Sequence, residues 1–444
     1  MLARLVNIDR DTPLLLPPAL REWIPADHLA RYLLDAVESL PLTTLRVNER
    51  GAGDEQFPPR MLLGLVIYCC ATGTFSSRAI ERATYTDVAV RFLPGDTHPD
   101  HDTICEFRRQ NGPVLAESFV QVLELARELK LLKFGQLTLA AHGTKVLANA
   151  SKHSAVSYQR DGEQIELLRQ EVDQLLAKAE QADRAPLQDG LTIPAEITRR
   201  RERLSKLQAA RTVIEERARH RAAQEQPVYA SKQTDRAGRR ARGELVRGHE
   251  PQPPSATPEP KDQYNFTDPP SRIMTAGTGQ HFEQAYNAQA AVETDSRFIV
   301  AARVTDAPND KEQLVPTLHA VAAPVRAQVV AVVEANAEPT VYAAVEKTGH
   351  HRRVADLEQR LEPLPPTAGA GPVEQMRYRL QTAAGRALYR LRQQTVEPVF
   401  GIIKEVLGFR RFLLRGLAGA ESEWTLVCLA YNLPRLHRLS VAPA

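Results

Sequence analysis

Residues 389–404 read YRLRQQTVEPVFGIIK, and this stretch decides how the rest of the chain is interpreted. Its apolar residues recur at helical spacing, which predicts a helix with one face turned inward; they are Val396, Val399, Phe400 and Ile403. Pro398 has no amide proton and fits best in the first turn of a helix. We therefore expect the helix to begin near Pro398, with Glu397 at or close to its start.

Glu397 is an acid among basic residues. Lys404 follows it by about two helical turns and lies on roughly the same side, and Tyr389 precedes it on one face of a basic helix. This pattern is typical either of a surface helix with solvated charges or of a site that binds phosphate groups. The basic residues concerned are Arg392, Lys404, Arg410 and Arg411.

The spacing of these residues is specific. Tyr-x2-Arg, then Glu, then x6-Lys resembles the terminal signature of bacterial insertion-sequence transposases, which carry an Asp-Asp-Glu site on a ribonuclease-H-like fold. Residues 395–401 (TVEPVFG) and 408–412 (GFRRF) are similar to that family almost residue for residue. One difference is that four residues, not the usual three, separate Arg392 from Glu397.

The resemblance implies a cofactor, partners and individual roles. Glu397 is expected to be a catalytic carboxylate that binds Mg²⁺ or Mn²⁺. The expected partner is double-stranded DNA, both the terminal inverted repeats and the target, and formation of a homodimer is left open. The residues expected to contact DNA are Lys145, Tyr389, Arg392, Lys404, Arg410 and Arg411.

Composition sets wide bounds. At 444 residues the chain is long enough for two or three domains. A net charge of +3 is only a weak indication of nucleic-acid binding, so the distribution of charge must carry that argument. The four cysteines lack a metal-binding spacing, which favours buried thiols in a reducing cytosol. Without a long apolar run we expect no signal peptide or membrane span. The resemblance implies a cytoplasmic, nucleoid-associated bacterial protein.

Residues 1–134 are predicted to form an all-helical N-terminal domain. Residues 59–68 are apolar nearly all round, which predicts a buried helix, and Asp27 is expected to cap an earlier one. Arginines on one helix face, such as Arg108 and Arg109, suit DNA contact in the manner of a helix-turn-helix. Spacing alone favours a plain helical bundle, but the transposases carry a similar N-terminal domain.

Residues 99–104 (PDHDTI) also resemble a segment of that family. Asp102 or Thr103 is a good cap for the helix that follows. A capped turn explains the neighbouring polar residues better than a metal site does; they are His98, Asp100 and His101.

Short apolar runs predict the strands of a sheet. Residues 136–141 lie between glycines and predict a buried strand, while residues 286–292 and 297–304 predict a hairpin with its turn at residues 293–296. Residues 329–333 predict the next buried strand, after a helix that opens at Asn309 and Asp310. This order implies a mixed α/β, ribonuclease-H-like core.

A long segment interrupts this core. Apolar residues among dense charges predict a helical hairpin with its turn near residues 186–194, followed by an arginine cluster and a proline-rich linker. The predicted domains are a helical N-terminal domain at 1–134, a transposase domain at 135–160 and 262–444, and the hairpin and linker at 161–261.

The resemblance breaks at two catalytic positions. In the family the first strand ends in Asp-Gly-Thr-Lys, whose Asp is the first catalytic carboxylate, and His142 stands there in this chain. The second carboxylate belongs to Ala-Asp-Ala-Gly-Tyr, where residues 331–342 read AVVEANAEPTVY and only Glu334 could replace it. Mg²⁺ prefers oxygen ligands, so an imidazole is a poor substitute.

Three functions therefore stay open. The chain is a degenerate transposase that folds and binds DNA, or an active metal-dependent transposase that uses His142, Glu334 and Glu397, or a DNA-binding inhibitor of an intact relative. Metal-dependent nicking of DNA separates the second from the others.

Overall fold

The computed structural model describes residues 19–45, 56–132, 138–182, 193–243, 245–246, 249–276, 281–310, 312–321, 363–367 and 369–441. Helices and strands are mixed, in keeping with the predicted α/β class. The chain divides into two compact units, one of Met1–Val146 and Asn287–Ala444 and the other of Leu147–Tyr286. The domain boundaries expected from the sequence remain a prediction.

The first unit begins with short helices. Helix α2 is buried along most of its length, as its apolar sequence predicts. The helices are α1 (Leu29–Ser39), α2 (Pro59–Ala71), α3 (Ser77–Thr86), α4 (Val88–Phe92), α5 (His101–Gln110) and α6 (Gly112–Glu128).

The caps of two helices differ from the predicted ones. Helix α1 follows His28, whose Nδ1 accepts a hydrogen bond from a backbone amide at 3.2 Å, so Asp27 is not its cap. Helix α5 follows Asp100, whose carboxylate accepts from the Thr103 amide at 2.6 Å, so the prediction of Asp102 or Thr103 is wrong. A cap is the residue just before the first helical turn, whose side chain accepts a hydrogen bond from a free amide of that turn. The residue at which the helix begins therefore decides which side chain can act as the cap.

Most strands belong to one sheet, ordered β1-β5-β4, in which β6 also pairs with β5. Strands β5 and β6 are antiparallel, with Ala288 opposite Val304, so the predicted hairpin is confirmed. The strands are β1 (Leu139–Leu147), β2 (Ala155–Ser157), β3 (Gln263–Asn265), β4 (Arg272–Ala276), β5 (His281–Glu293) and β6 (Ile299–Thr305).

Strand β1 begins and ends later than the sequence predicts. It continues past Ala141 to Leu147, so His142 lies inside the strand and not after its end. The predicted strand at residues 329–333 lies outside the described residues, and so does Glu334.

The second unit contains two long helices, α7 (Tyr158–Ala182) and α8 (Ile193–Ala241), where the sequence predicts a helical hairpin. Helix α8 continues through residues 236–241, so this part of the predicted linker is helical. Strands β2 and β3 pair antiparallel beside the helices. The buried cluster of this unit is Val156, Ile165, Leu168, Leu207 and Ala210.

The C-terminal part of the first unit is again helical. It contains α9 (Leu314–His319), α10 (Pro372–Gln381), α11 (Ala383–Gly401) and α12 (Leu417–Val441), with a π-helical turn at Ile402–Val406 directly after α11. Helix α12 packs against α2, α6 and β6. Its Asn432 side chain donates to the Ile299 carbonyl at 2.8 Å and accepts from the Ile299 amide at 3.0 Å, which fixes the helix on the sheet.

The sequence suggested that the helix with Glu397 begins near Pro398, and this prediction is wrong. Helix α11 begins at Ala383 after Thr382, whose hydroxyl accepts from the Gly385 amide at 3.0 Å. Pro398 lies in its interior and removes one backbone hydrogen bond. Burial of the inner face around it, including Val396 and Val399, offsets that loss.

Candidate functional site

His142 lies in the middle of β1 and contacts the Asp310 carboxylate. Its Nδ1 is 3.2 Å from Asp310 Oδ2, and the two side chains are 30% and 36% exposed. Asp310 follows β6 in a turn whose Gln313 amide donates to the Asp310 carbonyl at 3.1 Å. The sequence analysis named Asp310 only as part of a helix start, so the structure assigns it a neighbour that the sequence did not reveal.

Two amides of strand β5 complete the environment of Asp310. Asn287 Nδ2 and Gln289 Nε2 each donate to Asp310 Oδ1 at 2.8 Å. They can do so together because residues two apart on a strand point to the same face. The hydrogen bond from His142 holds the pKa of the Asp310 carboxyl well below its usual range, and the two amides and the positive charge of Lys145 lower it further. Asp310 is therefore ionised at neutral pH.

Gly143 makes room for this network. A Cβ atom at this position would lie 2.1 Å from Gln289 Nε2, 2.3 Å from Asp310 Oδ1 and 2.5 Å from Asn287 Oδ1. Any side chain at residue 143 would displace these groups, so the glycine is required by close approach rather than by its backbone angles.

Two lysines stand beside the pair. Lys404 Nζ donates to the Lys145 carbonyl at 2.7 Å, which ties the π-helical turn to β1. Both side chains are half-buried, and desolvation lowers the pKa of each. Asp310 opposes this shift at Lys145, whereas the charge of Arg410 adds to it at Lys404.

Glu397 lies at the surface of α11 and is already paired. Its Oε1 is 3.6 Å from Arg392 NH2, and its side chain is 46% exposed. The Arg392 guanidinium also lies 5.4 Å from the centroid of the Tyr389 ring. One turn later, the Phe400 ring packs 6.3 Å from the His142 ring. Helix α11 therefore brings the turn after Glu397 close to His142.

The described residues do not fit a pair of Mg²⁺ ions. Within the described ranges there is no group of three or more His, Cys, Asp or Glu side chains that could hold a metal ion. Asp310 already accepts three hydrogen bonds, and Glu397 faces an arginine. Mg²⁺ requires several free oxygen ligands on converging elements.

Arg410 and Arg411 line a cleft of about 400 Å³ at the N-terminus of α3. The guanidinium of Arg410 pairs with Glu405 and donates to the Lys404 carbonyl at 3.2 Å. Ser76 caps α3 in the opposite wall. The other lining residues are Gly73, Thr74, Phe75, Ala79, Gly408, Phe409 and Leu413.

Arg108 is buried, so the suggestion that it faces DNA is wrong. Its NH2 lies 2.7 Å from Glu423 Oε1, and the side chains are 3% and 1% exposed. Arg108 NH1 also donates to the Phe75 carbonyl at 2.7 Å, while Glu423 Oε2 accepts from the amides of Leu413 and Leu414. This pair joins α5, α12 and the segment before α12.

Two segments of the chain match known protein families. Residues 18–110 match a transposase domain (DUF772), and residues 367–437 match a transposase DDE domain. Both matched segments therefore support the resemblance to bacterial insertion-sequence transposases of the Asp-Asp-Glu type. No curated protein and no solved structure matches it.

The two matches bear on the expected metal ion and on the expected DNA partner. Transposases with the DDE domain generally use a divalent metal ion, and the family implies a DNA partner. The Arg108–Glu423 pair joins the two matched segments inside one unit. Among the described helices, none combines the length and the apolar character that a membrane span requires.

Proposed function

We propose that this chain is a transposase-family protein that binds insertion-sequence DNA, and that its catalytic centre, on a ribonuclease-H-like core, is degenerate. The observation that carries the proposal is the position of His142 and its contact with Asp310. His142 stands where the resemblance expects the first catalytic carboxylate, and Asp310 holds its Nδ1.

The loss of activity follows from the chemistry of the reaction. Cleavage and transfer of a DNA strand by two metal ions needs several carboxylates that converge on the same ions. His142 supplies no fixed negative charge, and Asp310 is occupied by an imidazole and two amides. Among the described residues, Glu397 alone would be left to hold both ions.

DNA binding does not depend on these carboxylates. Arg392 and Arg411 are partly or fully exposed, and Arg410 lies on the rim of the α3 cleft. Phosphate contacts by such cations supply most of the affinity for duplex DNA, and they make it fall steeply with salt. Terminal repeats and target DNA are the proposed ligands, a homodimer the proposed assembly, and the bacterial nucleoid the proposed location.

One observation favours the active enzyme as a second candidate. The contact between Phe400 and His142 brings the turn after Glu397 to the position of the missing first carboxylate. An enzyme that used His142, Glu334 and Glu397 would need this arrangement.

Nicking of DNA tests the proposal. The full chain is incubated with DNA that carries the flanks of its own coding region, with Mg²⁺ or Mn²⁺, beside Glu397→Gln. We expect binding in a gel shift and no nicking above the Glu397→Gln level. Metal-dependent nicking that Glu397→Gln removes would establish the second candidate, and absence of binding would refute the proposal altogether.

A further inference from the structure

The described residues around His142, namely Lys145, Asp310 and Lys404, are here called the His142 centre, and they carry more positive than negative charge. Among the described residues, Asp310 is the one carboxylate of this centre, and Lys145 and Lys404 supply two ammonium groups. The charge of Lys145 acts on Asp310 and on Lys404, and Lys404 Nζ donates to the Lys145 carbonyl at 2.7 Å. The Arg392–Glu397 pair is neutral as a whole, so it does not change the balance. A divalent cation would be repelled by such a centre, whereas an anion would be attracted.

The hydrogen bonds at Asp310 strengthen this asymmetry. His142, Asn287 and Gln289 all donate to the carboxylate, so its negative charge is engaged inside the protein. The described residues offer no hydrogen-bond or ion-pair partner to the Lys145 ammonium group, whose side chain is half-buried and whose charge interacts with that of Asp310. A partly desolvated ammonium group interacts strongly with a phosphate because solvent screens it less.

We infer that the His142 centre accepts a backbone phosphate of DNA directly, without a bridging divalent ion. Lys145 provides the charge, and Asp310 positions His142. Because Asp310 is ionised, the ring proton on Nδ1 is donated to it, and the ring itself remains 30% exposed beside the bound strand. The inference rests on the proposed DNA-binding function and gives one of its sites a specific chemistry.

His142→Asp should reverse the effect of Mg²⁺ on the affinity for DNA. The substitution places a second carboxylate beside Asp310, so two negative charges would repel a phosphate in the absence of metal. The same two carboxylates would attract Mg²⁺, which would then bridge protein and phosphate. Free Mg²⁺ has the opposite effect on a protein that binds DNA through cations, because it competes for the phosphates.

The experiment measures the affinity of the full chain for a fluorescent DNA duplex by anisotropy, in EDTA and in Mg²⁺ at matched ionic strength. The unmodified chain should bind at least as well in EDTA as in Mg²⁺. His142→Asp should lose about tenfold in affinity in EDTA and regain it in Mg²⁺. His153→Asp is the matched control, because His153 is exposed and its side chain bonds to no described residue; it should behave like the unmodified chain.

The outcomes separate this inference from the function on which it rests. If the unmodified chain binds no DNA in either buffer, the proposed function fails. If it binds DNA but Mg²⁺ strengthens that binding, or if His142→Asp is insensitive to Mg²⁺, the inference alone fails. Should His142→Asp not fold, Lys145→Met decides: a loss of about fivefold in both buffers supports the inference, and an unchanged affinity overturns it.

Discussion

Two carboxylates in the first unit each accept three hydrogen-bond donors, yet they behave in opposite ways. Glu423 binds Arg108 and two backbone amides in the core, and burial raises its pKa. Asp310 binds His142 and two side-chain amides at the margin of the sheet, and its pKa is lowered. The number of donors is the same, so the opposite pKa shifts reflect the difference in solvent exposure of the two carboxylates. The first pair is part of the packing, and the second remains accessible for binding.

Breaking the buried pair should give the largest effect. Glu423→Ala leaves the Arg108 charge buried without its partner, and loss of one member of such a pair costs about 3–5 kcal/mol. The free energy of unfolding in urea measures this. The control is Glu405→Ala, which breaks the exposed Arg410 pair and should cost less than about 1 kcal/mol. Equal losses in both variants would contradict the contrast drawn above.

Filling the space at Gly143 should give the second largest loss of stability. Gly143→Ala forces a Cβ into the Asn287, Gln289 and Asp310 side chains, and overpacking of this kind costs about 1–3 kcal/mol. Gly401→Ala is the matched control, because its Cβ would meet nothing within 4 Å. It should be neutral or stabilise the helix by up to about 1 kcal/mol. Urea unfolding of both variants checks this, and a Gly143→Ala variant of normal stability would mean that the network is not close-packed.

A third carboxylate shows what happens without donors. Asp161 in α7 is fully buried, makes no hydrogen bond within the described part of the chain, and has its pKa raised to about 6 by burial. Its ionised form therefore destabilises the fold, and stability should fall as pH rises from about 4 to about 6.

Asp161→Asn should remove that loss, with a gain of up to about 2 kcal/mol at pH 8 and little at pH 4. Hydrogen exchange of the α7 amides measures it locally. The control is Asp173→Asn, at an exposed position of the same helix, which should change stability by less than about 0.5 kcal/mol at either pH. An Asp161→Asn variant with no gain at pH 8 would show that the carboxylate is solvated.

Asp310→Asn should have the smallest effect on stability. Because the pKa of Asp310 is depressed in the folded state, its contribution is present above about pH 4 and lost as the pH falls through the folded-state pKa. The group is partly exposed, so we expect a loss of only about 1 kcal/mol at pH 7, and less at pH 3. A larger loss at pH 3 than at pH 7 would reverse the sign and contradict the assignment.

What the sequence revealed depends on the distance between partners along the chain. The β5–β6 hairpin and the inner face of α11 follow from local patterns, because strand alternation and helical spacing act over a few residues. The role of Asp310 could not be read in this way, since a helix cap explained the same residue locally. The alternating Asn287 and Gln289 on one strand face were the signal that could have pointed to it.

Arg108 illustrates the same limit more sharply. An arginine at the end of a short polar helix predicts an exposed residue. Its burial depends on Glu423, which lies 315 residues further along the chain. For Glu397 the error had another origin, because a proline that usually starts helices lies here inside one.

The Arg108–Glu423 pair also limits how a gene of this kind can lose its function and still yield a folded product. A premature stop before residue 423 would leave Arg108 buried without its carboxylate, so the N-terminal helices would be penalised by an event at the far end of the gene. Changes at single positions such as His142 leave that link intact. A chain of this kind would therefore keep its fold through substitutions around His142 and lose it through truncation.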